Sequence, residues 1–229
     1  MQSFAYILNQ RPFRDNSVLL DIFSEDYGRI CCVARPAKKR GKILKGSLEP
    51  FRYLKIQWIG KGDVQTLTEA DERGRHTIPA SEMLMGLYLN ELILLFTQQH
   101  NAQPELFSAY KYTLHKIGDS EINRQILMRF EMYLLSVLGY PLTPYSLPIN
   151  KKMRYIFHEN EGMICDLAQA TEQPRNLSHN IYMAGDLFYA IQDVKTMQEK
   201  HWKALRQFLD AVFARLSPRK INTRKLLTL

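Results

Sequence analysis

Five short runs of strand-forming residues within the first 70 positions constrain the fold most strongly. In residues 51–59 (FRYLKIQWI), Leu54, Ile56 and Trp58 alternate with Tyr53, Lys55 and Gln57, which is typical of a strand with one buried face. The other four runs are residues 4–8, 17–23, 29–35 and 64–69. Short antiparallel strands in a flat sheet would leave open edges, so we predict a small closed barrel.

The hydrophobic period changes from two to 3.6 residues after Pro79, which indicates helices. We predict helices at residues 81–99, 104–117, 122–138, 181–194 and 200–216, and a hairpin at 154–165. The predicted fold is therefore α+β. A barrel domain spans residues 1–79, and a mostly helical domain spans residues 80–229. Its basic C-terminal tail (SPRKINTRKL) is expected to be mobile.

Positive charge is concentrated at the two ends of the chain. The net charge is +8, from 31 Lys and Arg against 23 Asp and Glu. Residues 1–80 carry 14 against 9, residues 81–146 carry 4 against 6, and residues 147–229 carry 13 against 8. Six of these cations fall in residues 35–45, the basic loop, which no acid interrupts. Such a distribution suits a polyanionic partner.

The basic loop connects the third and fourth predicted strands, where oligonucleotide-binding (OB) barrels hold nucleic acid. Cations of such a groove follow the phosphates, and aromatic rings accept stacked bases. The DNA-contacting candidates are Arg11, Arg14, Arg35, Lys38, Lys39, Arg40, Lys42, Lys45, Tyr53 and Lys55. Three alternatives stay open: a solvated loop, a nuclear-localisation patch, and a Tyr53 ring that packs against a neighbouring element.

The sequence predicts no catalytic centre and no cofactor. P-loop, GxSxG, HExxH and GxGxxG patterns are absent, and the six histidines are scattered. The three cysteines form no CxxC pair, which favours a reducing compartment over a disulfide scaffold. The start of the chain has no long apolar run of the kind found in signal peptides. The longest apolar segment, residues 84–96, contains Asn90 and Glu91 and is too short to span a bilayer. We therefore expect a soluble, cytoplasmic protein.

Six segments, in order and at matching spacing, resemble the bacterial RecO family of DNA repair proteins. They are residues 27–29 (YGR), 44–51 (LKGSLEPF), 64–67 (VQTL), 88–92 (YLNEL), 104–107 (PELF) and 129–140 (RFEMYLLSVLGY). The resemblance covers residues 4 to about 140 and weakens beyond them. It implies an N-terminal OB barrel and a C-terminal helical domain, in agreement with the reading from periodicity.

The resemblance also implies a function, that of a recombination mediator without nucleotide hydrolysis. Proteins of this kind bind single- and double-stranded DNA, anneal complementary strands and associate with RecR. They contact the C-terminal tail of the single-stranded DNA-binding protein, and help RecA load on strands coated by that protein. A cytoplasmic, nucleoid-associated location in a bacterium would follow.

Two departures from the family pattern affect individual residues. The tail-binding helix of relatives reads Arg-Arg-Phe-Glu, whereas here Met128 takes the first position. Arg124, one helical turn earlier, is a candidate to replace that cation, and Arg129 and Met132 complete the predicted tail site. A surface Arg129 without a binding role is the alternative. Some relatives have four cysteines after the proline-rich break; here only Cys165 occurs, so we predict no zinc and a buried Cys165.

Two other functions remain open at this level. One is an RNA-binding OB protein without catalytic activity, which competition between DNA and RNA of equal length would separate from a DNA-binding protein. The other is a nucleic-acid-processing enzyme, which cleavage in the presence of magnesium would reveal.

Overall fold

The five N-terminal runs form strands that close into a barrel, as predicted. In the computed structural model they are β1 (Gln2–Phe13), β2 (Ser17–Ser24), β3 (Gly28–Ala34), β4 (Arg52–Ile59) and β5 (Val64–Arg75). Their order around the closed barrel is β1-β2-β3-β5-β4. The structure describes residues 1–14, 16–35, 43, 45–117, 123–142, 149–165 and 180–227.

One strand pair departs from the expected antiparallel arrangement. β3 and β5 pair in parallel, with Cys31 opposite Val64 and Val33 opposite Thr66, while the other four pairs are antiparallel. The reason is geometrical. Strand direction cannot alternate all the way around a closed ring that has an odd number of members, so at least one pair of a five-stranded barrel must be parallel.

The barrel interior is filled by the inward-facing residue of each alternating pair. Leu54, Ile56 and Trp58 of β4 are at most 1% exposed, as their alternation predicts. The rest of this core comes from the other four strands and from two residues of the β3–β4 connection. Its members are Ala5, Ile7, Leu20, Ile22, Ile30, Cys32, Ala34, Ile43, Leu48, Leu67 and Ala70.

Two helices follow the barrel: α1 (Met83–Phe96) and α2 (Pro104–Ile117). The polar residue Asn90 is 2% exposed in the apolar α1 because it satisfies a barrel carbonyl. The β1–β2 register shifts between Ile7 and Asn9. Asn90 donates to the Leu8 carbonyl at 2.9 Å, and Tyr110 of α2 donates to Asn90 at 2.6 Å. A buried carbonyl at an irregular strand position thus keeps a partner.

The basic C-terminal tail, residues 217–226, was expected to be mobile, and that expectation is wrong for residues 221–226. The carboxylate of Glu91 on α1 accepts the backbone N–H groups of Asn222 and Thr223 at 2.9 and 2.8 Å. Ile221 and Leu227 are buried on either side of this turn. A carboxylate that accepts the first N–H groups of a short helix stabilises it, so Glu91 holds the C-terminal turn.

The part of the remaining chain that the structure describes contains three α-helices and a small sheet. The helices are α3 (Asn123–Val137), α4 (Gly185–Ala190) and α5 (Glu199–Leu216), and the strands are β6 (Arg154–His158), β7 (Gly162–Cys165) and β8 (Ile181–Ala184), in the order β7-β6-β8. The β6–β7 hairpin confirms the prediction at residues 154–165.

Two predictions for this region are wrong. Residues 181–184 form a strand rather than the start of a helix, because they pair with β6, and the helix there begins only at Gly185. Cys165, expected to be buried, is the last residue of β7 at an outer position of the three-stranded sheet and is half-buried.

The chain divides into two compact units at a different place from the predicted boundary at residue 79. Unit 1 comprises Met1–Asn123 with Ile221–Thr228, and unit 2 comprises Arg124–Lys220. Unit 1 extends past the barrel because the aromatic residues of α2 and the polar residues of α1 pack on its strands. Among the described residues, no helix has the length and apolar character needed to cross a bilayer.

Candidate nucleic-acid interface

Three of the predicted DNA-contacting arginines lie at one end of the barrel. Arg11 is an exposed residue of β1, opposite Leu19 of β2, and Arg14 directly follows β1. Arg35 directly follows β3, and its Nε donates to the Ser17 hydroxyl at 3.3 Å, at the first residue of β2. β1 ends, β2 begins and β3 ends at this point, so the topology places these three arginines at the same end of the barrel. We call Arg11, Arg14 and Arg35 the arginine end.

The basic loop starts from the arginine end and is anchored in the barrel core on both sides. Ala34, just before it, is 1% exposed. Ile43, within it, is 7% exposed and bridges to Ala70 of β5. Lys45 begins a short 3₁₀ helix, Lys45–Leu48. The side chain of Lys45 and the predicted residues Lys38, Lys39, Arg40 and Lys42 lie outside the described part of the chain.

The electrostatics of the outer barrel face show where Arg11 acts. Cys31 of β3 is nearly buried, and burial raises the pKa of its thiol. Asp21 raises that pKa further, whereas Arg11 and Arg29 lower it. Arg11 therefore lies close enough to β2 and β3 to contribute positive potential across their outer surface. Raised pKa values at Cys31 and at Cys32, the latter to about 12, keep both thiols protonated near neutral pH.

Tyr53 and Lys55 lie on the outer face of β4, as predicted, but apart from the arginine end. β4 pairs with the first part of β1, where Phe4 is opposite Lys55. Arg11 is seven residues further along β1, a path of about 23 Å along a strand. The ten candidate residues therefore do not form one cluster: the described ones divide between the arginine end and this part of β4.

The Tyr53 ring is already packed within unit 1. It stacks on Phe4, with centroids 5.0 Å apart and an interplanar angle of 13°, and it also contacts Tyr6. The Lys111 ammonium of α2 lies 3.8 Å from its centroid. These contacts agree with the alternative in which Tyr53 packs against a neighbouring element. Lys111 was not found from the sequence, because its place on the helix surface carries no strand-like signal.

A polar pair continues this aromatic cluster. The hydroxyl of Tyr6 and Nε2 of His76 are 2.8 Å apart. Burial, then Tyr53 and Glu25, raise the pKa of Tyr6, and burial, then His115 and Lys111, lower the pKa of His76. Both groups are therefore neutral near pH 7 and share one hydrogen bond. The pair adds packing and polar satisfaction here, and it contributes no positive charge.

Two of the three residues predicted for the partner-tail site, Arg129 and Met132, are described on α3. Arg129 is exposed, and Met132, three residues later and therefore on the same helix face, is half-buried. Met128, at the position where relatives have an arginine, is 5% exposed and belongs to the core. The side chain of Arg124 lies outside the described part. The sequence analysis did not include Tyr133 in the predicted tail site, although this residue lies four positions after Arg129 on α3 and is 36% exposed.

Within the described ranges, no three His, Cys, Asp or Glu side chains come together in a way that could hold a metal ion. The clustered titratable groups of unit 1, Tyr6 and His76, have pKa values shifted so that both stay uncharged. What the described arrangement can do chemically is present fixed cations to an anionic partner.

Comparison with known proteins agrees with these observations. A family model described as "Recombination protein O N terminal" matches residues 1–73, and one described as "Recombination protein O C terminal" matches residues 81–225. The chain belongs to the RecO family. The two matches meet near the end of the barrel, and they place this RecO-family protein among proteins of DNA repair and recombination.

Individual RecO proteins are similar over most of the chain. The "DNA repair protein RecO" of Glaesserella parasuis serovar 5 (strain SH0165) is 36% identical over 174 residues, 72% of each chain. That of Vibrio vulnificus (strain CMCP6) is 29% identical over 210 residues, 89% of this chain and 83% of the relative. That of Actinobacillus pleuropneumoniae serotype 3 (strain JL03) is 35% identical over 174 residues.

Proposed function

We propose that this RecO-family chain is a non-enzymatic, DNA-binding recombination mediator. It binds single- and double-stranded DNA and anneals complementary strands. With RecR, it helps load RecA on strands coated by the single-stranded DNA-binding protein. The observation that carries the proposal is the gathering of Arg11, Arg14 and Arg35 at the barrel end from which the basic loop departs.

The physical basis is phosphate binding by fixed cations. Six loop cations that each contact one phosphate of a single strand would give a salt slope of about −4, from about 0.7 per contact. No step of this function breaks a covalent bond, so the chain needs no nucleotide site and no metal. Family membership favours DNA over RNA as the ligand, and competition between the two at equal length tests that choice.

The decisive experiment neutralises Lys38, Lys39, Arg40 and Lys42 together. Fluorescence anisotropy with a labelled single strand should show affinity reduced about 100-fold or more, and a salt slope smaller by about 3. A matched control removes four exposed lysines elsewhere, Lys61, Lys195, Lys203 and Lys220, which changes the net charge equally. Equal losses in both variants, or a wild-type slope near −1, would remove the basic loop from the site.

A second part of the proposal concerns the partner protein's tail. Arg129 would pair with its terminal carboxylate while Met132 packs against an apolar side chain, and Arg124 is a further candidate cation. Arg129→Ala should weaken binding of the tail peptide about tenfold and leave DNA affinity unchanged. Conversely, the loop variant should keep tail binding. Peptide affinity that is unaffected by Arg129→Ala would contradict this site.

A further inference from the structure

A cluster of cations and tyrosines in unit 2 is not used by the function proposed above. Lys151 and Lys152 are exposed in the turn before β6, and Arg154 is the first residue of that strand. Three cations within four residues recur in no other described part of unit 2. Such a short segment spans at most about 11 Å between the first and last of them.

Two of these cations are held against tyrosine rings from distant parts of the sequence. The Lys151 ammonium lies 3.9 Å from the centroid of the Tyr189 ring on α4. The Arg154 guanidinium lies 4.2 Å from the centroid of the Tyr182 ring on β8. Tyr189 is 46% exposed, so much of its ring remains open to a ligand. Cation–π contact explains why each long side chain stays beside its ring.

Gly185 brings the two pairs together. Its N–H donates to the Met153 carbonyl at 2.8 Å, and a Cβ at this position would lie 2.2 Å from the Asn150 carbonyl oxygen. Only glycine allows the turn that carries Lys151 to approach so closely. Tyr182 comes three residues before Gly185, and Tyr189 comes four residues after it. The two cation–tyrosine pairs therefore lie on either side of the close contact between Gly185 and the turn that carries Lys151.

Two acids that flank this region are paired with other cations. Asp186, next to Gly185, lies 3.5 Å from Lys200, and Glu159, just after β6, lies 3.2 Å from Arg215. Among the ion pairs of the described residues, none includes Lys151 or Lys152. The positive charge of these two lysines is therefore available to an anionic ligand.

We propose that Lys151, Lys152, Arg154, Tyr182 and Tyr189 form a second binding surface for single-stranded nucleic acid, the lysine–tyrosine surface. A nucleotide of a single strand offers an anionic phosphate and a flat base, and each cation–tyrosine pair offers the two complementary groups side by side. Bases of a duplex are stacked inside it and cannot reach these rings, so the surface selects unpaired strands.

The inference rests on the proposed function and deepens it. Annealing requires that two strands be held while they find their register. A barrel site in unit 1 and the lysine–tyrosine surface in unit 2 give one chain a contact for each strand, or two contacts along one strand. Loss of the second surface should therefore reduce annealing more than it reduces binding of one strand.

Photocrosslinking to a single strand that carries iododeoxyuridine tests the proposal in the full chain. We expect crosslinks to Tyr182 or Tyr189 in the wild type. They should fall about tenfold in Lys151→Ala/Lys152→Ala and persist in the charge-matched control Lys195→Ala/Lys203→Ala. Anisotropy should show the salt slope of the first variant smaller by about 1.4, for two lost phosphate contacts.

A second variant pair separates stacking from charge. Tyr189→Phe keeps the aromatic ring, so the crosslinking yield at positions near residue 189 should be unchanged. Tyr189→Leu removes the ring and should lower strand affinity about tenfold. Both substitutions are at a half-exposed position, so folding should be retained, and circular dichroism checks it.

The outcomes distinguish this inference from the proposed function. Crosslinks confined to unit 1 would overturn the lysine–tyrosine surface and leave the barrel site intact. Absence of DNA binding by the wild type would overturn both. Loss of an acidic peptide's binding in Lys151→Ala/Lys152→Ala, with DNA crosslinks unchanged, would assign the surface to a protein and also overturn the inference.

Discussion

The ion pair between Glu131 of α3 and Arg206 of α5 allows a quantitative test of how unit 2 is held together. Glu131 is fully buried and Arg206 is 7% exposed. Two guanidinium nitrogens donate to the two carboxylate oxygens at 2.6 and 2.8 Å. Such bidentate geometry is the strongest form of this contact, and it fixes the two helices in one register.

Replacing Glu131 by alanine should cost about 3–5 kcal/mol of unfolding free energy, because a charged guanidinium is left buried without its main partner. A unit of this size has an m-value of about 2 kcal/mol per molar urea. The urea midpoint of the unit 2 transition should therefore fall by about 2 M. Asp210 lies 2.8 Å from Arg206 and is one-third exposed, so it compensates only part of this loss.

Two further variants make this reasoning refutable by urea unfolding followed by circular dichroism. Asp210→Asn, which removes the exposed partner, should cost about 1 kcal/mol or less. The double variant Glu131→Leu/Arg206→Met removes both charges and should be far more stable than Glu131→Ala. If Glu131→Ala shifted the midpoint no more than Asp210→Asn does, the ion pair would not be what joins α3 to α5.

Four further substitutions test unit 1. Glu91→Ala removes the acceptor for the C-terminal turn and should lower the unfolding free energy by about 1–2 kcal/mol in urea titration. Gly28→Ala should cost more than about 2 kcal/mol, because its Cβ would lie 2.0 Å from the Asn101 carbonyl oxygen, whereas Gly62→Ala, with φ +91° and open space around it, should cost about 1 kcal/mol. Burial lowers the pKa of His76 in the folded protein, so the unfolded chain binds the proton more readily. Thermal unfolding should therefore show that unit 1 loses stability as the pH falls below about 6.5. His76→Phe should remove this pH dependence.

The barrel could be predicted from the sequence because each strand carries its own local signal. Alternation places Leu54, Ile56 and Trp58 inside, and all three are buried. The parallel β3–β5 pair has no such local signal. It follows from closure, since an odd ring cannot be wholly antiparallel, and only the number of strands could have revealed it. Counting strands before assigning directions would have corrected the expectation.

Residues 181–194 show where periodicity fails. Their apolar residues fit a helical period, yet the first four form β8 because β6 lies beside them. That partner strand is more than twenty residues away in sequence, so no local pattern predicts the pairing. Gly185 was the available signal: a glycine inside an apparent helix often marks a close backbone approach, and here it does.

The sequence named the candidate residues, but it did not show that they lie in separate places on the barrel. Arg11, Arg14 and Arg35 come together because strand ends meet at one edge, which a hairpin reading already implies. Tyr53 was assigned to base stacking because it alternates with core residues. Alternation shows only that a residue faces outward from the barrel, and α2 supplies Lys111 as a neighbour on that outer face.

Cations at the barrel and an exposed tyrosine ring in unit 2 predict two different kinds of DNA-binding energy in one chain. At the arginine end, the Arg14 guanidinium lies over the Phe13 ring, 5.2 Å from its centroid, so we expect the barrel contribution to be mainly electrostatic. Electrostatic binding weakens steeply with salt, whereas stacking on an exposed ring such as Tyr189 does not. The loop variant should therefore retain a weak binding component that depends less on salt than wild-type binding does, and adding Tyr189→Leu to it should weaken that component about tenfold. If the residual binding of the loop variant were as salt-dependent as that of the wild type, the division between a charged barrel and a stacking surface in unit 2 would be wrong.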